Sequence, residues 1–353
     1  MSMNAIRSSV LVALLAPALL LLPARAMAQT DDSGSDLDYR PGKGWLIGST
    51  GLSLGGYASI AYQDLEASPA TFSVSDLSLF VHWEGEGKLR LFAELDLEDP
   101  LVYTPGQGGP RTSQSYVALE RLYGDYLYAD GLNFRVGKFL TPIGRWNEIH
   151  ADPLVWTTSR PLVTERSFPT NATGAMVFGT LPVFGKPVDY QIYSALGEDW
   201  RPDPKLDPFE EAYGIHVSVP VSASTELGFS YVSFEQKASI GERRKLIGLD
   251  YSWSHNRYEV SAEAICRLSD EGSSLDEKGM FVQGVAPLTG RLYAVARFEI
   301  FDPAGPDRPV RIGLAGLALK FTPAFVFKLE YRQASRRQSL APDGLMTSVS
   351  ILF

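Results

Sequence analysis

A histidine flanked by two carboxylates is the arrangement in this chain most capable of chemistry. Glu148 precedes His150 by two residues, and Asp152 follows it by two. Such a histidine can act as a general base or a metal ligand, but those roles need a nucleophile or a second histidine at ligand spacing. Neither accompanies His150, so we expect a polar residue that hydrogen-bonds a carboxylate. A catalytic base remains the alternative.

Charges of both signs surround this histidine, in a connection that spans residues 140–171. Connections of this length in a compact domain are usually functional or disordered. Trp146 and Trp156 argue against disorder, because a tryptophan needs a surface to pack against. The charged and titratable residues of interest here are Arg145, Glu148, His150, Asp152, Arg160, Glu165 and Arg166.

The elements that position these residues are strands. From Gly51 onward, sixteen segments alternate apolar and polar residues with period two, the period of a β-strand. In residues 88–98, for example, leucine and alanine alternate with charged residues and one phenylalanine. A sandwich strand with one face in solvent would alternate in the same way. The pattern therefore predicts an all-β fold and leaves barrel and sandwich open.

The lengths of the connections favour a barrel. Long connections alternate with short ones, although the connection expected at 180–187 is about as long as the one at 235–243. Outer-membrane barrels place short turns at the periplasmic rim and longer loops outside. We predict a transmembrane antiparallel β-barrel over residues 51–353, with sixteen strands and with fourteen or eighteen as alternatives. Within it, residues 140–171 are expected to fold inward and narrow the lumen.

The N-terminus has the features of an export signal. Arg7 precedes an apolar run from Val10 to Leu22, and Ala26-Met27-Ala28 matches a cleavage site. We predict a signal peptide over residues 1–28 and a periplasmic extension over residues 29–50. The C-terminal strand pattern runs into Phe353, as is typical of outer-membrane barrels. An exported barrel has the outer membrane as its expected location.

The run FRVGKFLTPIG at residues 134–144 resembles the "RVGKF-x-TPFG" stretch of the phosphate-selective porin O and P family. Residues 144–147 and 150–153 resemble the family's constriction-loop segments. The resemblance implies a sixteen-stranded outer-membrane porin, generally a trimer, with constriction loops inside the pore. It does not imply phosphate selectivity, because Arg145, Arg160 and Arg166 are interleaved with acids instead of forming an arginine ladder. Mixed charges produce a transverse field across a pore.

The expected function is passive diffusion of small polar solutes or ions through a water-filled channel. The expected pore-constriction residues are the wall residue Arg135 and the loop residues Arg145, Glu148, His150, Asp152, Arg160, Glu165 and Arg166. Expected partners are outer-membrane lipid, lipopolysaccharide, the solute and, in a homotrimer, further copies of the chain. No cofactor, metal or nucleic acid is expected. Alternatives are a non-conducting structural or adhesive barrel with a plugged lumen, or a hydrolase that uses His150.

Overall fold

Sixteen antiparallel strands, β3 to β18, close into a barrel. The computed structural model describes residues 37–40, 43–66, 68–113, 115–196, 198–202, 206–335 and 340–353. Closure comes from β18, which pairs with β3 from Gly344 opposite Leu65 to Leu352 opposite Tyr57. Each other barrel strand pairs with its neighbours in sequence. The prediction of a sixteen-stranded antiparallel barrel is confirmed.

The elements follow one another along the chain with one short helix between β7 and β8. Their bounds are β1 Leu37–Arg40, β2 Gly44–Ile47, β3 Leu52–Leu65, β4 Thr71–Glu84, β5 Leu89–Tyr103, β6 Tyr116–Ala129, β7 Leu132–Leu140, α1 Leu162–Arg166, β8 Asn171–Val183, β9 Lys186–Leu196, β10 Phe209–Ser222, β11 Thr225–Gln236, β12 Arg244–His255, β13 Tyr258–Ser269, β14 Glu277–Pro287, β15 Leu292–Asp302, β16 Val310–Thr322, β17 Phe325–Ala334 and β18 Gly344–Leu352. No helix in the described ranges is long and apolar enough to cross a membrane.

The barrel is apolar outside and charged inside. On β5, Leu91 and Leu95 are 52% and 46% exposed, whereas Glu94 and Asp96 between and beside them are buried. The period-two alternation of a strand produces this separation, because successive side chains point to opposite faces. Closure also pairs the backbone groups that an open edge would leave free. This distribution is typical of a barrel that faces lipid and encloses water.

The connection predicted at 180–187 is wrong. Strand β8 runs to Val183 and β9 starts at Lys186, so the turn contains only residues 184 and 185. Pro182 lies within β8, opposite Pro187 near the end of the hairpin. Proline is tolerated at such positions because few ladder hydrogen bonds depend on it. The correction removes the exception to the alternation of long and short connections.

A small hairpin precedes the barrel. Strands β1 and β2 pair with each other, and β2 continues along β3 with Trp45 opposite Leu54. The edge of β3 is thus shared, with β2 on its first residues and β18 on the rest. The predicted signal peptide at 1–28 lies outside the described residues, as does the first part of the predicted extension at 29–50.

Candidate functional site

The segment between β7 and β8 is closed at its base. The Thr141 amide donates to the Thr170 carbonyl at 2.8 Å. The fully buried Asn147 side chain donates to the carbonyls of both residues, at 2.8 and 3.0 Å. Arg160 Nη2 donates to the Asn147 Oδ1 atom at 2.6 Å. These bonds join the start, middle and end of residues 141–170, so the segment is a folded unit.

Three carboxylates from strands β13, β15 and β17 accept backbone N–H groups of this segment. The bonds are Arg145 N and Trp146 N to Glu263 Oε1 at 2.9 and 2.6 Å, Thr158 N and Ser159 N to Glu330 at 2.8 and 2.9 Å, and Leu162 N to Glu299 Oε2 at 2.8 Å. The charged face of these strands thereby positions the segment.

Two buried cations on the same wall add further bonds. Arg297 donates to Glu299, to the Thr157 hydroxyl and to the Ser159 carbonyl, at 2.7, 2.7 and 2.9 Å. Lys328 Nζ lies 2.6 Å from Asp152 Oδ1 and 2.7 Å from the Asp152 carbonyl oxygen. Both cations are therefore occupied in holding the segment.

Apolar packing supports the same attachment. Ile143, Trp146, Leu162, Val163 and Phe168 of the segment belong to one buried cluster with strand residues. The strand partners include Phe234, Leu246, Ile265, Phe281, Phe301 and Ile312, from β11 to β16. Sequence reasoning missed this patch. Its signal was present, since these apolar residues occupy positions that otherwise carry polar side chains.

A cavity of about 730 Å³ remains on the other side of the segment. It lies between the segment and the inner face of β3 to β6, the wall opposite the attachment. Its lining residues with polar side chains include Tyr57, Asp76, Asp96, Glu98, Glu120, His150, Asp152, Thr158, Arg160, Glu165, Arg166, Asp207 and Glu277. The barrel is therefore filled on one side and open on the other.

The structure brings five of the eight sequence-predicted residues to this cavity. These are His150, Asp152, Arg160, Glu165 and Arg166. The other three lie elsewhere: Arg135 forms two bonds to Asp125 at 2.7 and 2.9 Å, Arg145 pairs with Glu226 at 3.1 Å, and Glu148 accepts from Gln191 at 3.1 Å.

His150 hydrogen-bonds neither Glu148 nor Asp152, the two carboxylates that flank it in the sequence. Its Nδ1 donates to the Asn147 carbonyl at 2.8 Å, and its Nε2 lies 3.6 Å from a Glu120 oxygen. Burial, reinforced by the Arg160 charge, lowers the pKa of His150 to about 4. The ring is therefore neutral at pH 7. The nearby carboxylate comes from a distant strand, which sequence spacing could not show.

Asp152 and Arg160 keep their ionised forms. Burial opposes the charge of Asp152, but the Lys328 ammonium and the Ser350 hydroxyl hold its pKa below the usual value. Burial lowers the pKa of Arg160 to about 10, which leaves the guanidinium charged at pH 7. Desolvation by the surrounding protein raises the pKa of Glu148, against the opposing effect of the Gln191 hydrogen bond.

The acids of β4, β5 and β6 were not among the predicted site residues. The alternation of polar and apolar residues identified the polar face of β5. It does not reveal which part of the barrel wall is left uncovered by residues 141–170. Three register irregularities also lie there. Ser75 of β4 has no opposite residue on β3, and residues 99 and 100 of β5 together face Ser75. Glu120 of β6 has no opposite residue on β5. Bulges re-aim side chains and are frequent beside functional sites.

Comparisons with solved structures agree with the fold. An anion-selective porin from Comamonas acidovorans has a TM-score of 0.61 at 13% identity, covering 86% of this chain and 99% of the porin. OmpF of Salmonella typhi, solved with daunomycin, has a TM-score of 0.64 at 10% identity, with coverage of 86% and 97%. A mutant Rhodopseudomonas blastica porin has a TM-score of 0.54 at 14% identity, with coverage of 86% and 100%. At these identities the similarity establishes a porin-type barrel.

Comparison of sequences is less informative than comparison of structures. No family model matches the chain, so the resemblance to the phosphate-selective family is not confirmed by a family match. An uncharacterised protein of Aquifex aeolicus is 26% identical over 151 residues. That match covers 42% of this chain and 32% of the relative.

Proposed function

We propose that the protein is an outer-membrane porin that lets small polar solutes or ions diffuse through a water-filled channel. One observation carries the proposal: a closed barrel with an apolar outer face encloses a charged cavity of about 730 Å³ beside an anchored internal segment. A polar interior holds water, and an apolar exterior suits lipid. Passive diffusion of this kind needs no catalytic residue and no cofactor.

In this proposal residues 141–170 form the constriction. The segment bonds to β13, β15 and β17 and leaves the side towards β4–β6 open. Solutes would pass between the segment and that wall, in contact with Asp152, Arg160, Glu165 and Arg166. The outer apolar face would contact membrane lipid, with lipopolysaccharide at the outer rim. A homotrimer is the proposed assembly, which light scattering in detergent would test.

The direct test is single-channel recording of the purified protein in a planar bilayer. We expect discrete open levels, and a larger conductance for a variant that lacks residues 146–165. Absence of discrete channels in folded wild-type protein would favour a plugged structural barrel and overturn the proposal.

A chemical block tests the same passage without deleting the segment. Cys266 is the only cysteine, so Cys266→Ser provides a clean background. In that background, Glu165→Cys places a thiol at the cavity, while Glu271→Cys places one in an exposed loop. A bulky neutral methanethiosulfonate should reduce conductance in the first variant only. Equal effects on both would show that solutes do not pass Glu165.

A further inference from the structure

We infer that the channel prefers small cations to anions, and that Asp76, Asp96 and Glu120 of the β4–β6 wall set this preference. The inference rests on the proposed channel function and adds the class of solute. It is the opposite of the preference of the Comamonas acidovorans porin, which is anion-selective and has the same barrel fold.

The charge of the cavity lining is the first observation. Eight carboxylates line it, against the two arginines Arg160 and Arg166 and the neutral His150. Lys328 offsets Asp152, and Arg267 offsets Glu277, at 2.6 and 3.1 Å. After both pairs are discounted, six carboxyl groups remain in the lining against two arginines. A cleft lined by one sign of charge concentrates counter-ions.

The nearby cations of the wall bind other acids. In the described part of β6 and β7, Arg121 pairs with Glu94, Arg135 with Asp125, and Lys138 with Asp199. These ion pairs direct positive charge to acids outside the cavity lining, although the charges of Lys138 and Arg121 also act on Glu120.

Like charges face each other across this wall. Asp76 of β4 lies directly opposite Glu98 of β5. Glu94, Asp96 and Glu98 also follow one another at every second position, on the same strand face. Like charges in directly opposed positions destabilise a sheet. A wall built only for stability would avoid this arrangement, whereas a path for cations benefits from it.

Two of the lining carboxylates are buried and still have an oxygen without a partner. Asp96 and Glu277 are 5% and 6% exposed. Among the described residues, no hydrogen-bond partner reaches Asp96 Oδ1 or Glu277 Oε1. Buried polar atoms of this kind are uncommon in proteins and call for an explanation. Water or a hydrated cation in the cavity would supply the missing interaction.

Backbone irregularities lie beside these acids. A bulge leaves Glu120 without an opposite residue between the pairs Glu94–Arg121 and Leu95–Leu119. Ser75 is the corresponding extra residue beside Asp76. Asp99, at the third irregularity, has a positive φ of 46°, an uncommon conformation for a non-glycine residue. Register shifts between the other barrel strands fall near strand ends.

The test is the reversal potential in a KCl gradient, measured on wild-type channels in a planar bilayer. Near 0.1 M salt we expect K⁺ to permeate about tenfold better than Cl⁻, at the low end of the enrichment that a one-sign cleft produces. The ratio should fall towards one near 1 M, where the screening length shrinks from about 10 Å to about 3 Å.

The variant Asp76→Asn/Asp96→Asn keeps the size of both side chains and removes their charges. We expect its K⁺/Cl⁻ ratio to fall by about threefold or more at low salt, since the local field weakens. The matched control Glu86→Gln/Glu271→Gln removes two exposed charges that do not line the cavity and should keep the wild-type ratio. Should the double variant fail to fold, Glu165→Gln, on the opposite side of the cavity, should lower the ratio by a smaller factor.

The outcomes separate the two proposals. Wild-type channels with a ratio of one or below would overturn the cation preference and leave the porin function intact. A preference that is equally reduced by the control pair would assign selectivity to total charge and overturn the role of the β4–β6 wall. If folded protein gives no channels, the proposed function fails first.

Discussion

The inner faces of β4–β6 and of β13–β17 lie on opposite sides of the barrel and carry similar acids, yet these acids have different partners. Glu263, Glu299 and Glu330 bond the backbone of residues 141–170. Asp76 and Asp96 line open space, with Asp76 opposite another carboxylate. The comparison shows that an inward charge is structural where the loop reaches it and available to solutes where the loop does not.

The largest effect is expected from Arg297→Ala, on the attached wall. It removes the bonds to Thr157 and Ser159 and leaves Glu299 buried without its cation. Breaking one half of a buried pair costs about 3–5 kcal/mol of unfolding free energy. Denaturant unfolding in detergent, followed by tryptophan fluorescence, measures this loss.

The control for that variant is Arg257→Ala. Arg257 is exposed and bonds only a neighbouring turn and Tyr293, so we expect a change of about 1 kcal/mol or less. Equal losses in the two variants would contradict the structural role assigned to the attached wall.

An intermediate effect on the unfolding free energy is expected when a carboxylate is replaced by its amide on each of the two walls. Glu330→Gln weakens the acceptor of two backbone N–H groups and should lower the unfolding free energy by about 1–3 kcal/mol. Asp96→Asn removes a charge from a crowded acidic wall and should leave stability equal or raise it by about 0.5 kcal/mol. The same unfolding experiment compares them. A greater loss for Asp96→Asn would reverse the comparison.

The last effect concerns pH and vanishes at neutral pH. The folded protein lowers the pKa of His150 from 6.5 to about 4, so the unfolded chain binds a proton first as the pH falls. The contribution of His150 to stability is therefore complete above pH 6.5 and lost between about 6.5 and 4. His150→Gln should flatten the stability profile in that window.

Unfolding midpoints at pH 7.5, 5.5 and 4.5 measure this slope. His255→Gln, which changes an exposed histidine at a turn, is the control and should keep the wild-type slope. A wild-type slope in His150→Gln would show that other groups carry the dependence.

Strand alternation is a local property, and it predicted the all-β fold, the strand number and the two faces, while the connection lengths favoured a barrel over a sandwich. It placed Leu91 outside and Glu94 inside, as found. The attachment of residues 141–170 could not be predicted in the same way, because it depends on contacts more than a hundred residues apart, such as Trp146 to Glu263. The apolar residues Phe234 and Phe281 on polar faces were the overlooked signal.

The acidic wall was harder to predict for a different reason. A bulge shifts which residues face inward by one position, and sequence patterns assume a regular strand. Glu120 was therefore not assigned to the site, although it approaches His150. Conversely, Arg135 was correctly expected on a strand, but its bidentate contact with Asp125 takes it away from the cavity.

The cross-linking of residues 141–170 by the Asn147 side chain has a mechanical consequence. Because one amide joins both ends of the segment, and Arg160 ties its middle to the same amide, no part can swing out alone. Any displacement would have to move residues 141–170 as one rigid body. Current through such a channel would switch between a few sharp levels, without a continuous spread.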